Sequence, residues 1–166
     1  SVTANPLPVV TISNNLSSNN LTPSTPCILT ATATPTSTLT TYQWYVNGSA
    51  IPGAISSTIT ADVNHLGGYQ CEVKINGNCA NTSNVITLRD SLSKQIFITP
   101  NPNNGIFQVL YNSRELGLGN PMTIIVYDAR GSRVYQKTYA PNTPFGAMNV
   151  WMANCAKGLY YLDLMD

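Results

Sequence analysis

The sequence predicts an all-β protein built as two consecutive small β-sandwiches. Three observations carry that expectation. Helix-period apolar patterns are scarce, short β-rich runs recur every ten residues or so, and Gly, Pro and Asn punctuate them. The chain of 166 residues suffices for one large domain or two small ones. The strand rhythm breaks at LRDSLSKQ (88–95), which holds Arg89, Asp90 and Lys94, and then restarts. The expected boundaries are the end of a preceding repeat or linker over 1–8, a sandwich over 9–90, a linker over 91–94 and a second sandwich over 95–166.

In the first half, CILTATAT (27–34) alternates so that Cys27, Leu29, Ala31 and Ala33 share one face. YQWYVNG (42–48) places Tyr42, Trp44 and Val46 together, leaves Tyr45 facing out and ends in an Asn-Gly turn signal. STITAD (57–62) reads as a short strand. GGYQCEVKING (67–77) turns Tyr69, Cys71, Val73 and Ile75 inward before a second Asn-Gly, and NVITL (84–88) closes the unit.

That order resembles an immunoglobulin-like sandwich over roughly residues 9–90. Trp44 falls where a third strand buries its tryptophan, and Tyr69 stands two residues before Cys71, as in a tyrosine corner. The Asn-Gly after Trp44 and the ending TSNVITL are similar to Ig-like repeats of bacterial surface proteins, particularly of the Bacteroidetes. The resemblance implies Trp44 and Tyr69 as core residues. Cys27 lies four residues before the family's usual cysteine position, here Ala31. That is about 13 Å along a strand, against a disulfide limit of about 7 Å between Cα atoms, which argues against a Cys27–Cys71 bridge. Cys71 and Cys79 flank the Asn76-Gly77 turn and are candidates to staple that hairpin, a spacing similar repeats show. Four cysteines allow three pairings, and the sequence does not choose among them.

In the second half, QIFIT, GIFQVLY, MTIIVYD, DARGSRVYQKTY, MNVWMAN and GLYYLDLMD read as successive strands and turns. MTIIVYD (122–128) is nearly all apolar, as a central strand covered on both faces would be. Trp151 is expected to point inward. Between QIFIT and GIFQVLY lies TPNPNNG: Pro100 and Pro102 fix φ and remove donors, and Gly105 supplies any φ > 0. The stretch reads as a stiff crossing from a short edge strand to the first full strand.

Three ordered blocks in this half resemble the C-terminal sorting domain of the type IX secretion system. ITPNPNNGIFQV (98–109) is similar to its PNPxxGxF opening, IIVYDARGSRV (124–134) to its second block and MNVWMANCAKGLYYLDL (148–164) to its third. Matched block by block, the motif residues are Pro100, Asn101, Pro102 and Gly105, then Asp128 and Gly131, then Gly158 and Tyr160. They are expected to set the fold of a recognised surface rather than each to touch the machinery. The resemblance implies a last strand beyond Asp166. It also implies export across the outer membrane, with the translocon and sorting machinery as partners and surface lipopolysaccharide as a partner after processing. The localisation implied is secreted or outer cell surface, with the immunoglobulin-like half as a spacer. The alternative for that half is an adhesion or carbohydrate-binding module with a glycan or protein ligand, on its own protein or beside an upstream enzyme. Asp90-Ser91-Leu92 resembles a Bacteroidetes O-glycosylation acceptor, which makes Ser91 a modification candidate.

Composition narrows the function classes. Charged residues are 9% of the chain, against roughly 25% in an ordinary domain. The net charge is +1 and forms no basic stripe, which argues against nucleic-acid binding. No apolar run approaches the ~20 residues of a membrane span, and SVTANPLPVV lacks the basic and apolar regions of a secretory signal, so it reads as the interior of a longer protein. Absence of a C-x-x-C pair argues against structural zinc, and no metal or cofactor is expected. The only histidine, His65, sits three residues from Asp62 on one predicted turn, too local for a catalytic triad, and the acids form no candidate pair for glycoside hydrolysis. No catalytic residue is expected.

Overall fold

The computed structural model describes residues 7–23, 25–77, 79–152 and 154–166. The expected end of a preceding repeat (1–8) therefore lies, for its first six residues, outside the described residues. The chain divides into two compact units, Ser1–Ser91 and Leu92–Asp166. The fold is all-β, with no helix among the described residues.

Fifteen strands follow in chain order among the described residues. The first unit holds β1 (Val9–Asn14), β2 (Asn20–Leu21), β3 (Cys27–Thr34), β4 (Thr40–Val46), β5 (Ser49–Ala50), β6 (Thr58–Ala61), β7 (Gly67–Ile75), β8 (Cys79–Thr82) and β9 (Ile86–Asp90). The second holds β10 (Phe97–Thr99), β11 (Ile106–Leu110), β12 (Met122–Tyr127), β13 (Arg133–Tyr139), β14 (Met148–Trp151) and β15 (Tyr161–Met165).

In the first unit a sheet β1-β3-β6 and a sheet β2-β9-β7-β4-β5, with β8 also on β7, enclose one core. The alternation read in the sequence sets it. Cys27, Leu29, Ala31 and Ala33 of β3 meet Trp44 of β4 and Tyr69, Cys71, Val73 and Ile75 of β7, all buried. Trp44 satisfies its indole by donating Nε1–H to the Ser56 carbonyl at 2.8 Å. The closing strand starts two residues later than NVITL suggested. Residues 83–85 bulge off the ladder, and the Asn84 amide reaches across to β1, accepting from Ile12 N at 2.9 Å.

The expected Cys71–Cys79 staple is corrected: no disulfide joins the two residues. Register explains it. Cys79 stands opposite Ile75, whereas Cys71 exchanges bonds with Ser83, its amide donating to Ser83 Oγ at 3.0 Å and its carbonyl accepting from Ser83 N at 3.0 Å. Four residues of strand, about 13 Å, separate Cys71 from the position facing Cys79, well over the ~7 Å limit. Burial drives the Cys71 thiol pKa from 9.0 up to about 11.

The second unit packs β10-β11-β14 against β13-β12-β15 around Phe107, Val109, Met122, Ile124, Val126, Met148, Val150 and Met152. β12 is buried on both faces, since Ile125 points away from that core yet is also buried. Trp151 corrects the expectation of an inward side chain: it is 70% exposed. Met148, Val150 and Met152 hold the inward positions of β14 and its extension, so strand parity leaves Asn149 and Trp151 outside. β10 and β11 pair as a hairpin with Thr99 opposite Gln108, and TPNPNNG is the loop that closes it.

Candidate functional site: a cleft at one end of the second unit

The strand registers place the three sequence blocks. Ile106 of β11 stands opposite Trp151 of β14, so the loop before β11 and the loop after β14 leave the sheet at the same end. In the other sheet Tyr127 stands opposite Tyr161, which brings the turn after β12 to the loop before β15. The result is an open cleft of about 630 Å³. Asn101, Pro102 and Gly105 line one wall, Gly158, Leu159 and Tyr160 the other, and Phe107, Val126 and Met152 lie among its lining residues.

Local chemistry shapes each wall. Asn103 Oδ1 accepts the Gly105 amide at 2.8 Å, and its Nδ2 donates to the Pro100 carbonyl at 3.3 Å, so one side chain cross-braces the corner. Gly105 has φ +92°, and a Cβ there would lie 2.6 Å from the Met152 carbonyl. Its own carbonyl accepts Met152 N at 2.7 Å, extending the β11–β14 ladder to the corner. Only glycine permits that approach.

On the far wall the Tyr160 hydroxyl donates to the Ala156 carbonyl at 2.7 Å, tying loop 155–160 to the start of β15. Partial desolvation, then the Cys155 thiol and the Asp128 carboxylate, raise the Tyr160 phenol above its ordinary pKa. A Cβ on Gly158 would meet nothing within 4 Å, so nothing in the structure requires glycine there.

The turn of the middle block sits at the same end but does not line the cleft, although Val126 of that block does. Asp128 Oδ1 accepts from Arg130 N at 2.9 Å and Ser132 N at 2.8 Å, and Gly131 follows with φ +81°. This side-chain-closed turn joins β12 to β13. Of the eight motif residues, five line the cleft, Asp128 and Gly131 build the adjacent turn, and Pro100 anchors the corner through its carbonyl.

The other candidates lie in the first unit. Trp44 and Tyr69 are buried, and the Tyr69 hydroxyl donates to the His65 carbonyl at 2.6 Å, which makes a tyrosine corner. His65 Nδ1 lies 2.8 Å from Asp62 Oδ1, an oxygen that also accepts from Asn64 N at 2.8 Å. Both side chains are exposed, and the pair closes a turn. Ser91 directly follows β9, half-buried, with its amide donating to the Leu21 carbonyl at 2.8 Å. No group of three or more His, Cys, Asp or Glu suited to a metal ion occurs among the described residues. No helix among them is long and apolar enough to cross a membrane.

Residues 95–166 match the family described as the secretion system C-terminal sorting domain. The match covers nearly all of the second unit and takes in all three blocks. No curated protein matches the chain. The second unit is thus a type IX C-terminal sorting domain, and the protein is exported across the outer membrane to the cell surface or beyond.

Proposed function

We propose that the sorting machinery reads the cleft, and that the first unit is a non-catalytic, immunoglobulin-like spacer between the signal and whatever cargo the protein carries. One observation supports the reading of the cleft above others. The opening and closing blocks, some fifty residues apart in sequence, meet across a single open groove. A folded domain offers a recognising partner a surface, and the braced hairpin corner and the tyrosine-tied loop keep this one in shape.

The spacer reading is favoured by what the first unit hides. Its four aromatic side chains, Tyr42, Trp44, Tyr45 and Tyr69, are all buried or half-buried, so none offers the exposed stacking platform an adhesion module would use. The same reading assigns no chemistry to the Asp62–His65 pair. Attachment to lipopolysaccharide after processing, and glycosylation of Ser91, belong to this proposal as later steps. Intact-mass measurement on protein from the native host checks Ser91, and an unmodified peptide spanning 88–95 would remove it.

The test of the cleft is a fluorescent reporter fused in front of the chain, kept to its native C-terminus, in a host with a type IX system. Fluorescence at the surface or in the medium, lost in a translocon-deficient strain, is the expected result. Reporter held in the periplasm of both strains would overturn the proposal.

A further inference from the structure

The outer face of sheet β10-β11-β14 carries a feature that lies outside the cleft. Trp151 is 70% exposed, the largest exposure of any aromatic side chain among the described residues, and Ile106, directly opposite on β11, is 46% exposed. One row along the same face, Thr99, Gln108 and Asn149 stand side by side across the three strands. Gln108 Nε2 donates to Asn149 Oδ1 at 3.1 Å. That bond uses one atom of each amide, so a Gln108 acceptor and an Asn149 donor stand next to each other at an exposed surface. The far end of the face is closed, because Phe145 packs edge-on against Phe97 with ring centroids 5.9 Å apart.

We infer that this face binds a neutral polysaccharide, with a pyranose ring stacked on Trp151 and its hydroxyls bonded to the Gln108 and Asn149 amides. Three arguments select that occupant. No residue of β10, β11 or β14 is charged, so the face matches an uncharged ligand and offers nothing to a phosphate, a nucleic acid or an acidic peptide. An indole plane beside paired amides has the amphipathic chemistry of a sugar, whose C–H face is apolar and whose rim is a row of donors and acceptors. The open area is also too small for a second copy of the chain. Three strands about 4.8 Å apart, over about four residues of ~3.3 Å, give on the order of 200 Å², whereas a stable dimer needs about 800 Å² per partner.

The test uses the purified full chain and does not depend on export. Depletion from solution by insoluble cellulose, chitin and xylan is measured, together with tryptophan fluorescence during titration with cellohexaose, chitohexaose and xylohexaose. Trp44 is fully buried, so a ligand-induced change reports Trp151. Saturable retention on at least one polysaccharide is expected, reduced at least tenfold in Trp151→Ala and three- to tenfold in Gln108→Ala, while Trp151→Phe keeps part of it. An unchanged melting temperature in Trp151→Ala shows that the loss is one of binding. Retention on none of the three, or retention that survives Trp151→Ala, would overturn the inference. So would a dimer seen by sedimentation that Trp151→Ala dissolves, since the face would then belong to a second copy.

Discussion

The two units use one device at two depths. In each, a tyrosine hydroxyl donates to the carbonyl four residues earlier and ties a loop to a strand: Tyr69 to His65, and Tyr160 to Ala156. In the first unit that tyrosine is buried beside Trp44 in a closed core. In the second it is half-exposed on the wall of a cleft. The cores differ to match. All four methionines of the chain lie in the second unit, and three of them, Met122, Met148 and Met152, are buried. Methionine adapts its shape where tryptophan is rigid. The first unit is built to be closed, and the second to keep a surface open.

The strongest way to break this contrast is to remove the rigid anchor. Trp44→Ala is expected to destabilise the first unit by about 3–5 kcal/mol. The two cores share no residue, so the second unit's unfolding transition in urea should stay in place. Next in size, Gly105→Ala should cost about 1–3 kcal/mol, because a Cβ meets the Met152 carbonyl and φ is positive. Gly158→Ala on the opposite wall should stay within about 0.5 kcal/mol. Equal effects at the two glycines would refute the account of the corner. The tyrosines sharpen the comparison further. Tyr69→Phe leaves the His65 carbonyl without its partner at a part-buried site and should cost about 1 kcal/mol, and Tyr160→Phe, nearer solvent, should cost less.

A separate contrast, seen only at high pH, concerns thiols. Cys71 holds its proton more tightly when folded than unfolded, so its contribution to stability is complete below pH 9 and is lost as pH rises towards about 11. Denaturation midpoints measured across that window should fall. At pH 8 a thiol reagent should label exposed Cys155 quickly, and should label buried Cys27 and Cys71 only after unfolding.

Alternation was legible because it is local. The inward set of β3, the burial of Trp44 and the double burial of β12 all follow from counting residues along a strand. The position of Trp151 follows from parity and not from bulk, since Met148, Val150 and Met152 take the inward positions. The cysteine staple failed on register: a turn at Asn76-Gly77 pairs Cys71 with a residue near Ser83, a count the sequence allowed. The cleft was not legible in the same way. Its residues were found by motif, but their meeting depends on β11 pairing with β14 and β12 with β15, contacts between distant segments that no local pattern encodes.

The central claim, that export reads the open cleft, is tested most directly by one matched pair of surface changes in the exported reporter. Leu159 on the cleft wall is 66% exposed and Leu39 in the first unit is 67% exposed, so a charge at either is tolerated by the fold. The ratio of external to periplasmic fluorescence should fall at least tenfold for Leu159→Glu and stay at the wild-type value for Leu39→Glu. Wild-type export of Leu159→Glu would contradict the account.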